Sequence, residues 1–587
     1  MEKVGPVFGE FITTERIRRK GNPADNHPGF RFYLLTLILI IFGGFLILRL
    51  FFLQIVQGSY YRNISDNNRT KTITIHAPRG IIFDRNGEPL TYNIPGFRET
   101  VNGKTKLIGR DEAINLIAKG DKNLEIDSLR SYPEKEAAAH VLGYIGQISD
   151  RELKFSQYKN YKSGDVIGKM GIEQEYEGFL KGQDGKELVE VDSLGKPLRK
   201  LGKTDPVPGK NIKLTIDKKL QESAYEAASS VKKAAIILTT PKGEILSLVS
   251  KPSFDPNLFT QGQEYKNTDS TYPSVESVLA DSQNQPFLNR TISGVYPPGS
   301  TFKIVVALAG LTTGVIDTNF TVEDTGIINV GAFSFANWYW TDYGGKDGTV
   351  NVITGLKRSN DIFFYKLAER IGVDKISAVA KKFDLGKVLG VDLKGEESGL
   401  VPTQEWKESA IGEPWYLGDT YHYGIGQGFL LTTPIQVNSW TQLIANNGSI
   451  YRPHLLSDLG DKKIAQNLID KKTSDIVRQG MIEACAPGGV AWPFFDFKVK
   501  NSKLKIDNKN ILPAASSSGD FRHVVVACKT GTAQHGGEDT KPHAWITLFA
   551  PAYNPQIVVT VLAEESGEGS NIAAPIAKKI LEDWFSR

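Results

Sequence analysis

The chain has 587 residues, of which 40% are hydrophobic and 23% are charged. Its length allows three or four domains of ordinary size, and its composition is that of a globular protein. A formal net charge of +4, with no dense Lys/Arg block, gives no reason to expect nucleic acid as a partner, and the sequence has no repeat of solenoid length.

Near the N-terminus, residues 32–53 form one continuous apolar stretch whose only charge is Arg49. A helix rises about 1.5 Å per residue, so this stretch is long enough to cross a hydrocarbon core of about 30 Å. A buried core helix and a cleaved signal peptide are the alternatives. The stretch is longer than the apolar h-region of a typical signal peptide, however, and no small-x-small cleavage site follows it. The sequence therefore predicts an uncleaved, single-pass membrane anchor at 32–53.

The basic residues on either side of this stretch predict its orientation. Cytoplasmic flanks of membrane helices carry the excess of Lys and Arg. Five such residues precede the stretch and only three lie comparably close after it: Arg16, Arg18, Arg19, Lys20 and Arg31 before, and Arg62, Arg69 and Lys71 after. We therefore expect residues 1–31 to be a cytoplasmic tail and the residues after the anchor to lie on the outer side of the cytoplasmic membrane.

The two cysteines, Cys485 and Cys528, would then lie in an oxidising compartment. They are too few for a disulfide framework, and one bridge or two buried thiols are both compatible with the sequence. No His/Cys cluster has metal-ligand spacing and no H-E-x-x-H is present, so the sequence predicts neither a metal site nor a cofactor.

Beyond the anchor, residues 54–74 are polar and are predicted to be a stalk. Residues 78–87 read P-R-G-I-I-F-D-R-N-G, a strand-like run that ends in an Asn-Gly turn. The break P-V-P-G at 206–209 indicates a domain boundary near residue 210. Residues 54–210 are therefore predicted to form a β-rich pedestal.

The remainder, 211–587, has the pattern of an antiparallel sheet packed with helices. Residues 214–228 have helical spacing, and two strand-like runs follow at 234–240 and 244–250 with a Pro-Lys-Gly turn between them. Two further strands are predicted at 543–552 and 556–564, and a closing helix at 572–587. This arrangement predicts an α+β fold.

One stretch of this part has the chemistry of a serine acyl-transferase. Residues 296–303 read Y-P-P-G-S-T-F-K, and Ser300 is predicted to be the N-cap of the apolar helix that follows. Ser300 and Lys303 are three residues apart and would share a helix face, so that the amine can take the proton of the hydroxyl. The S-x-x-K spacing alone is a weak signal, because it recurs at five other places in the chain.

Two later motifs supply the companions that such a serine needs. Ser359-Asn360-Asp361 precedes the apolar run 362–368, where the serine could also be only a helix cap. Lys529-Thr530-Gly531-Thr532 follows a β-branched run, and alternation along a strand would place Lys529 and Cys528 on opposite faces. A side chain at Gly531 would obstruct a substrate lying along the strand.

The order S-x-x-K, S-x-D and K-T-G resembles that of the class B penicillin-binding proteins, and the resemblance extends from the anchor to the C-terminus. The P-R-G-x-I-x-D-R-N-G run resembles the start of their pedestal, the dimerisation-type domain. Asp361, the segments 413–419 and 424–428, and T-P-I-Q at 433–436 resemble the cell-elongation subgroup, penicillin-binding protein 2. The resemblance implies a serine β-lactamase-like transpeptidase domain at 211–587.

For the chemistry, the resemblance implies acyl transfer on the D-alanyl-D-alanine ends of peptidoglycan stem peptides. Ser300 would attack the penultimate D-alanine carbonyl, and Lys303 would accept its proton, which requires a lowered pKa. Ser359 would relay a proton and Asp361 would hold this network. The N–H groups of Ser300 and Thr532 would form the oxyanion hole.

The K-T-G strand would recognise the carboxylate of the substrate or of a β-lactam; the residues implied are Lys529, Thr530, Gly531 and Thr532. The resemblance also implies membrane partners, namely a SEDS-type (RodA-like) glycan polymerase and scaffold proteins of the elongation machinery. Some members of the subgroup bind zinc, but residues 322–358 contain no Cys or His, so that site is not carried over.

Several alternatives are weighed against this interpretation. A Ser-His-Asp hydrolase is disfavoured because the sequence has no G-x-S-x-G elbow. A secreted β-lactamase needs neither anchor nor pedestal. A D,D-carboxypeptidase, which lets water resolve the acyl-enzyme, and a catalytically silent scaffold of the cell-wall machinery remain open.

Overall fold

The computed structural model describes residues 29–101, 104–119, 124–192, 197–262, 265–500, 521–537 and 540–587. Most of the predicted cytoplasmic tail, including Arg16, Arg18, Arg19 and Lys20, lies outside the described residues. The chain divides into two compact units, one made of residues up to 73 together with 187–203, and one made of 74–186 together with 204–587.

The first unit contains the apolar helix. It runs from Phe30 to Phe51 and continues as a π-helical turn, Phe52–Val56. Over Phe30–Val56 it is long and apolar enough to cross a membrane, and none of it is buried within the protein. The predicted polar stalk is more ordered than the sequence suggested, because Gly58–Arg69 is helical. Strand Gly185–Val191 lies between strands Thr70–Ile75 and Pro197–Thr204 in a three-stranded sheet.

In the second unit, residues 74–186 and 204–213 form short strands and helices around a three-stranded antiparallel sheet. Strand Tyr92–Val101 is central, with Lys104–Ile108 on one side and Leu124–Ser131 on the other. Its remaining strands are Ile82–Phe83, Ile145–Gln147, Val166–Gly168 and Ile212–Lys213, and its helices are Arg110–Ala118, Ala139–Leu142, Gly171–Glu175 and Glu177–Leu180. The predicted Asn-Gly turn is present, with Gly87 at φ +87°.

A buried ion cluster joins the P-R-G-I-I-F-D-R-N-G run to two later segments of this region. The guanidinium of Arg79 donates to Glu173 at 2.5 Å and to Glu177 at 2.6 Å, and Arg130 donates to Glu173 at 2.7 Å. Glu173 is completely buried. Two guanidinium groups thus neutralise two carboxylates, which is how a protein interior tolerates charge. We call these four residues the pedestal cluster.

The rest of the second unit is built on a five-stranded antiparallel sheet. Its strands are β1 (Ala234–Thr239), β2 (Ile245–Lys251), β3 (Ala527–Ala533), β4 (His543–Ala550) and β5 (Ile557–Ala563). Their order is β2-β1-β5-β4-β3, with every neighbouring pair antiparallel, so β3 is an edge strand. The predicted α+β fold with an antiparallel sheet is confirmed.

Helices cover both faces of this sheet. Four of them position the site: α1 (Lys303–Thr312), α2 (Trp338–Tyr343), α3 (Val352–Arg358) and α4 (Asp361–Ile371). The others are Lys218–Ala227, Val275–Ala280, Val373–Lys382, Gln404–Ile411, Leu417–Gly424, Pro434–Ala445, Lys471–Ala484 and Ala574–Ser586. Among the described residues, this part of the second unit also contains four short strand pairs: Thr321–Glu323 with Thr349–Asn351, Ile327–Val330 with Phe333–Ala336, Ile450–Tyr451 with Lys463–Ala465, and Lys498–Lys500 with Phe521–His523.

Alternation along β3 divides its residues between two hydrophobic cores. Ala527 packs in the core that contains α1, whereas Cys528 packs in the core on the other face with the C-terminal helix. Cys528 forms a disulfide with Cys485, which follows helix Lys471–Ala484, and their Cα atoms are 5.9 Å apart. The structure thus selects the bridge from the two possibilities that the sequence left open.

Candidate active site

Ser300 lies in a 3-10 turn, Gly299–Phe302, that runs directly into α1. The predicted N-cap role is therefore wrong: the serine is inside the turn, and its side chain caps no backbone N–H. Gly299 has φ +55°, and its N–H donates to the carbonyl of Gly426 at 2.9 Å. A Cβ at Gly299 would lie 2.8 Å from the carbonyl oxygen of Thr532, so glycine allows the turn to approach strand β3.

The hydroxyl of Ser300 has no hydrogen-bond partner among the described residues, and its side chain is only partly buried. Both neighbours in the turn, Gly299 and Thr301, are buried. An unpaired hydroxyl that is open to solvent beside a rigid turn is free to react with a ligand that enters from outside.

Lys303 is the first residue of α1, and its side chain is completely buried. Its Nζ donates to Asp361 Oδ1 at 2.6 Å, to the Ser359 carbonyl at 2.7 Å and to Ser359 Oγ at 3.2 Å. Burial lowers the pKa of Lys303, and the Asp361 carboxylate partly opposes this effect. The amine is thus held closer to deprotonation than a lysine in water.

Ser359 occupies the junction between α3 and α4. From the sequence, Ser359 could have been the N-cap of α4. The N-cap is instead Asn360, whose Oδ1 accepts a hydrogen bond from Phe363 N at 2.8 Å. Ser359 instead ends α3 with φ +53°, a left-handed conformation that is costly for a residue with a Cβ. Such conformations persist where the surroundings enforce them, often at functional sites.

Lys529 enters the same cluster from strand β3. Its Nζ donates to Ser359 Oγ and to the carbonyl of Thr530, both at 2.8 Å. Burial and the nearby Lys303 together hold the pKa of Lys529 well below its usual value. Ser359 Oγ therefore accepts from both lysines, which leaves its own proton free to be donated elsewhere. We call Lys303, Ser359, Asp361 and Lys529 the two-lysine cluster.

Strand β3 presents an unpaired edge beside this cluster. The carbonyl of Thr530 accepts from Lys529, and the carbonyl of Thr532 accepts from Gln427 Nε2 at 3.4 Å, so both point away from β4. In an antiparallel strand the N–H and C=O of one residue point to the same side. The N–H of Thr532 is therefore directed to the free edge as well, which is the direction that an oxyanion-hole donor requires.

Gly531 has a different reason to be glycine from the one expected. A Cβ at this position would lie 3.0 Å from Thr301 and 3.1 Å from both the Pro298 carbonyl and Trp545. The absent side chain therefore allows close packing of β3 against the serine turn. Thr530 and Thr532 are two residues apart and share the opposite face of the strand.

Two residues that the sequence analysis missed hold Asp361 in place. The N–H of Trp338, the first residue of α2, donates to Asp361 Oδ2 at 3.0 Å, and Asp361 N donates to Asn337 Oδ1 at 3.1 Å. The first contact uses the backbone N–H of Trp338, which nearly every residue type has, so the sequence gives no sign of it. The second uses an asparagine that belongs to no periodic pattern.

No group of three or more His, Cys, Asp or Glu side chains that could hold a metal ion occurs in the described part of the chain. In the segment 322–358, which contains no Cys or His, Asp324 accepts hydrogen bonds from four N–H donors. These residues do not fit a zinc site, and no chemical step is assigned to a metal here.

Comparison with known proteins gives matches along most of the chain. The family described as Penicillin binding protein transpeptidase domain matches residues 234–582, and the Penicillin-binding Protein dimerisation domain matches 121–214. The peptidoglycan D,D-transpeptidase MrdA of Escherichia coli (strain K12) is 32% identical, over 93% of this chain and 92% of the relative.

Solved structures agree with these matches. The complex between penicillin-binding protein 2 and MreC from Helicobacter pylori is 28% identical with a TM-score of 0.70, covering 88% of this chain and 98% of that one. A second structure, described as "Structural coordination of polymerization and crosslinking by a peptidoglycan synthase complex", is 26% identical with a TM-score of 0.69. The match covers 95% of this chain and 98% of that one. Because the transpeptidase family matches more than half of the sequence and the MrdA relative aligns with nearly all of it, the chain belongs to the penicillin-binding protein transpeptidases, in the group of penicillin-binding protein 2.

Proposed function

We propose that this protein is a membrane-anchored peptidoglycan D,D-transpeptidase that cross-links stem peptides through an acyl-enzyme on Ser300. The observation that carries the proposal is the two-lysine cluster, which brings residues from three distant segments together beside the serine turn. A catalytically silent scaffold has no use for two buried lysines with lowered pKa values. The relative MrdA is named for the same reaction.

In the acylation step, Ser300 Oγ forms a bond to the carbonyl carbon of the penultimate D-alanine, and its proton passes to Lys303. Lys303 must be neutral to accept it. A neutral amine can keep two of its three hydrogen bonds and turn its lone pair towards Ser300. The N–H groups of Ser300 and Thr532 stabilise the oxyanion. The C–N bond then breaks, the proton reaches the leaving amine through Ser359, and the terminal D-alanine departs.

In the second step, an amine of a neighbouring stem peptide attacks the ester carbonyl carbon and gives up a proton to Lys303. The C–O bond to Ser300 then breaks and Lys303 returns the proton to Ser300 Oγ, which regenerates the serine and forms the cross-link. Lys529, Thr530 and Thr532 recognise the carboxylate of the donor peptide or of a β-lactam. Their position on a free strand edge supports this role, because an extended peptide can pair with such an edge.

We also propose the domain organisation 1–31 cytoplasmic tail, 32–53 anchor, 54–210 pedestal and 211–587 transpeptidase domain, with the N-terminus in the cytoplasm and the catalytic domain outside. The Lys/Arg excess before the anchor supports the orientation. We further propose that the protein acts in cell elongation and shape. Its proposed partners are a SEDS-type (RodA-like) glycan polymerase and an elongation scaffold, and the Helicobacter pylori complex with MreC and the peptidoglycan synthase complex support these partners.

The test is covalent labelling of the full-length protein in detergent with a fluorescent penicillin. We expect a labelled band in the wild type, and its loss in Ser300→Ala and in Lys303→Ala. The matched control is Ser229→Ala, because Ser229 and Lys232 form an exposed S-x-x-K pair elsewhere in the chain. Absence of a band in a folded wild type would refute the enzyme and favour the scaffold. In a reconstituted assay with polymerised glycan, release of D-alanine without cross-linked products would instead identify a carboxypeptidase.

A further inference from the structure

Behind Asp361 lies a set of buried polar side chains that take no direct part in the proposed chemistry. Asp324 is 2% exposed, and Asn337 and Asn360 are fully buried. They come from separate segments: Asp324 follows strand Thr321–Glu323, Asn337 precedes α2, and Asn360 lies between α3 and α4. Burying three polar groups together is costly unless each finds partners.

Asp324 is the centre of this set. Its Oδ2 accepts from Asn337 Nδ2, Asn360 Nδ2 and Asp347 N, each at 2.9 Å, and its Oδ1 accepts from Gly326 N at 2.8 Å. Every one of these partners is a donor. Only a carboxylate can accept from all of them, because an amide in its place would turn an NH₂ group towards N–H groups.

Through Asn337, the set reaches Asp361. Asn337 uses its Nδ2 on Asp324 and its Oδ1 on the N–H of Asp361, while Trp338 N donates to Asp361 Oδ2. Asp361 is therefore fixed at its backbone and at one carboxylate oxygen. Its other oxygen, Oδ1, remains for Lys303.

Through Asn360, the set reaches Ser359. The amide of Asn360 donates to Asp324 at 2.9 Å and to Asp347 at 3.0 Å. On the other side of the serine, Arg358 Nε donates to Asp347 Oδ1 at 2.9 Å. Ser359 is thus flanked by two anchored residues, which explains how it is kept in its left-handed conformation.

We propose that Asp324 is a positioning residue for acylation, which holds Ser359 and Asp361 against Lys303 through Asn360 and Asn337. This inference rests on the proposed function of Ser300. It also explains what holds the segment from Asp324 to Asn337 in place, since the residues of this segment do not fit a zinc site.

The test is Asp324→Asn in the full-length protein, with the rate of acylation by a fluorescent penicillin measured against pH. Misplacing a reacting group by about 1 Å costs rate, and we expect acylation about 10- to 100-fold slower than in the wild type. The charged groups that face Lys303 are Asp361 and Lys529. Because the carboxylate of Asp361 raises the pKa of Lys303, its displacement should move the acid limb of the pH profile to lower pH.

Asp342→Asn is the matched control, since Asp342 is exposed on the neighbouring helix α2 and should leave rate and profile unchanged. An Asp324→Asn protein that is folded and acylates with the rate and pH profile of the wild type would overturn the inference. If that variant does not unfold cooperatively, Asn337→Ala decides: it removes the connection from Asp324 to Asp361 and leaves the one through Asn360, and an unchanged acid limb would again overturn the inference. If the wild type itself is not labelled, the proposed function has failed instead.

Discussion

The protein contains two buried charge clusters that are built on opposite plans. In the pedestal cluster, two guanidinium groups meet two carboxylates. The two-lysine cluster has two amines and one carboxylate: Lys303 donates to Asp361, and both lysines donate to the hydroxyl of Ser359. The first is balanced in charge and the second is not.

The pKa values follow from this difference. In the pedestal cluster the two carboxylates raise the pKa of Arg79 above its usual value, and the guanidinium groups lower the pKa of Glu173 despite its burial. In the two-lysine cluster, burial lowers the pKa of both lysines. Charges in the first cluster are therefore fixed, whereas in the second a proton can leave. The comparison separates a charge cluster that supports the fold from one suited to chemistry.

The largest expected effect comes from breaking the balanced cluster. Glu173→Gln leaves Arg79 and Arg130 with one carboxylate in a buried site, and we expect a loss of about 3–5 kcal/mol in unfolding free energy. Denaturant-induced unfolding of the full-length protein measures it. The control is Asp461→Asn, which breaks a surface pair with Lys242 and should change little. Loss of penicillin acylation in molecules that are still folded would show that the two clusters are not independent.

The unbalanced cluster should respond in the opposite way. Lys529→Met removes a donor to Ser359, and we expect acylation to fall about 100- to 1000-fold. Stability should be unchanged or higher, because the folded state disfavours the charge that is removed. The measurement pairs acylation rates with thermal unfolding, and a large drop in melting temperature would contradict this prediction.

The same pair of clusters predicts stability against pH. Because the pKa of Glu173 is lower in the folded protein than in the unfolded chain, this carboxylate stabilises the fold at pH values above its unfolded-state pKa. That stability is lost as the pH falls through the pKa of Glu173 in the folded state. The two lysines act in the opposite pH range. Between their lowered pKa values in the folded protein and about 10.4, the pKa of a lysine in the unfolded chain, the unfolded chain binds more protons than the folded protein, so stability rises with pH. Lys529→Met should make this alkaline rise smaller in melting curves recorded against pH.

The smallest effect is expected at the edge strand. Gln427 Nε2 occupies the Thr532 carbonyl through a long hydrogen bond of 3.4 Å, so a ligand that pairs with β3 must share or displace it. Gln427→Ala should therefore speed acylation by no more than about threefold. The exposed Gln404→Ala serves as control. Slower acylation would mean that Gln427 binds the ligand rather than competing with it.

Much of this could be predicted from the sequence, because the decisive residues lie on elements with strong local signals. Pro-Pro-Gly predicted the turn before Ser300. A strand that carries Lys529 was also predicted, although it begins at Ala527 and the preceding valines of the β-branched run lie outside it. The N-cap assignment of Ser300 was wrong by a small shift in position, and the alternative that Ser359 caps α4 is excluded by a shift of one residue. The sequence places Ser359 and Asn360 side by side, and only the packed structure decides which of the two caps α4.

Asn337 and Asp324 could not be predicted for a different reason. They lie in short irregular segments without periodicity, and the partners that connect them to Ser359 and Asp361 are distant in the sequence. The disulfide was undecided on similar grounds, since Cys485 and Cys528 are 43 residues apart and their proximity depends on the fold.

That disulfide also determines how the catalytic strand is tethered. Cys528 immediately precedes Lys529, and its bond to Cys485 closes a covalent ring that includes residues 501–520. A cut or an insertion within the ring leaves the strand attached to the same helix by a second route. The covalent attachment of the strand that carries Lys529 to helix Lys471–Ala484 therefore does not depend on an uncut chain between the two cysteines.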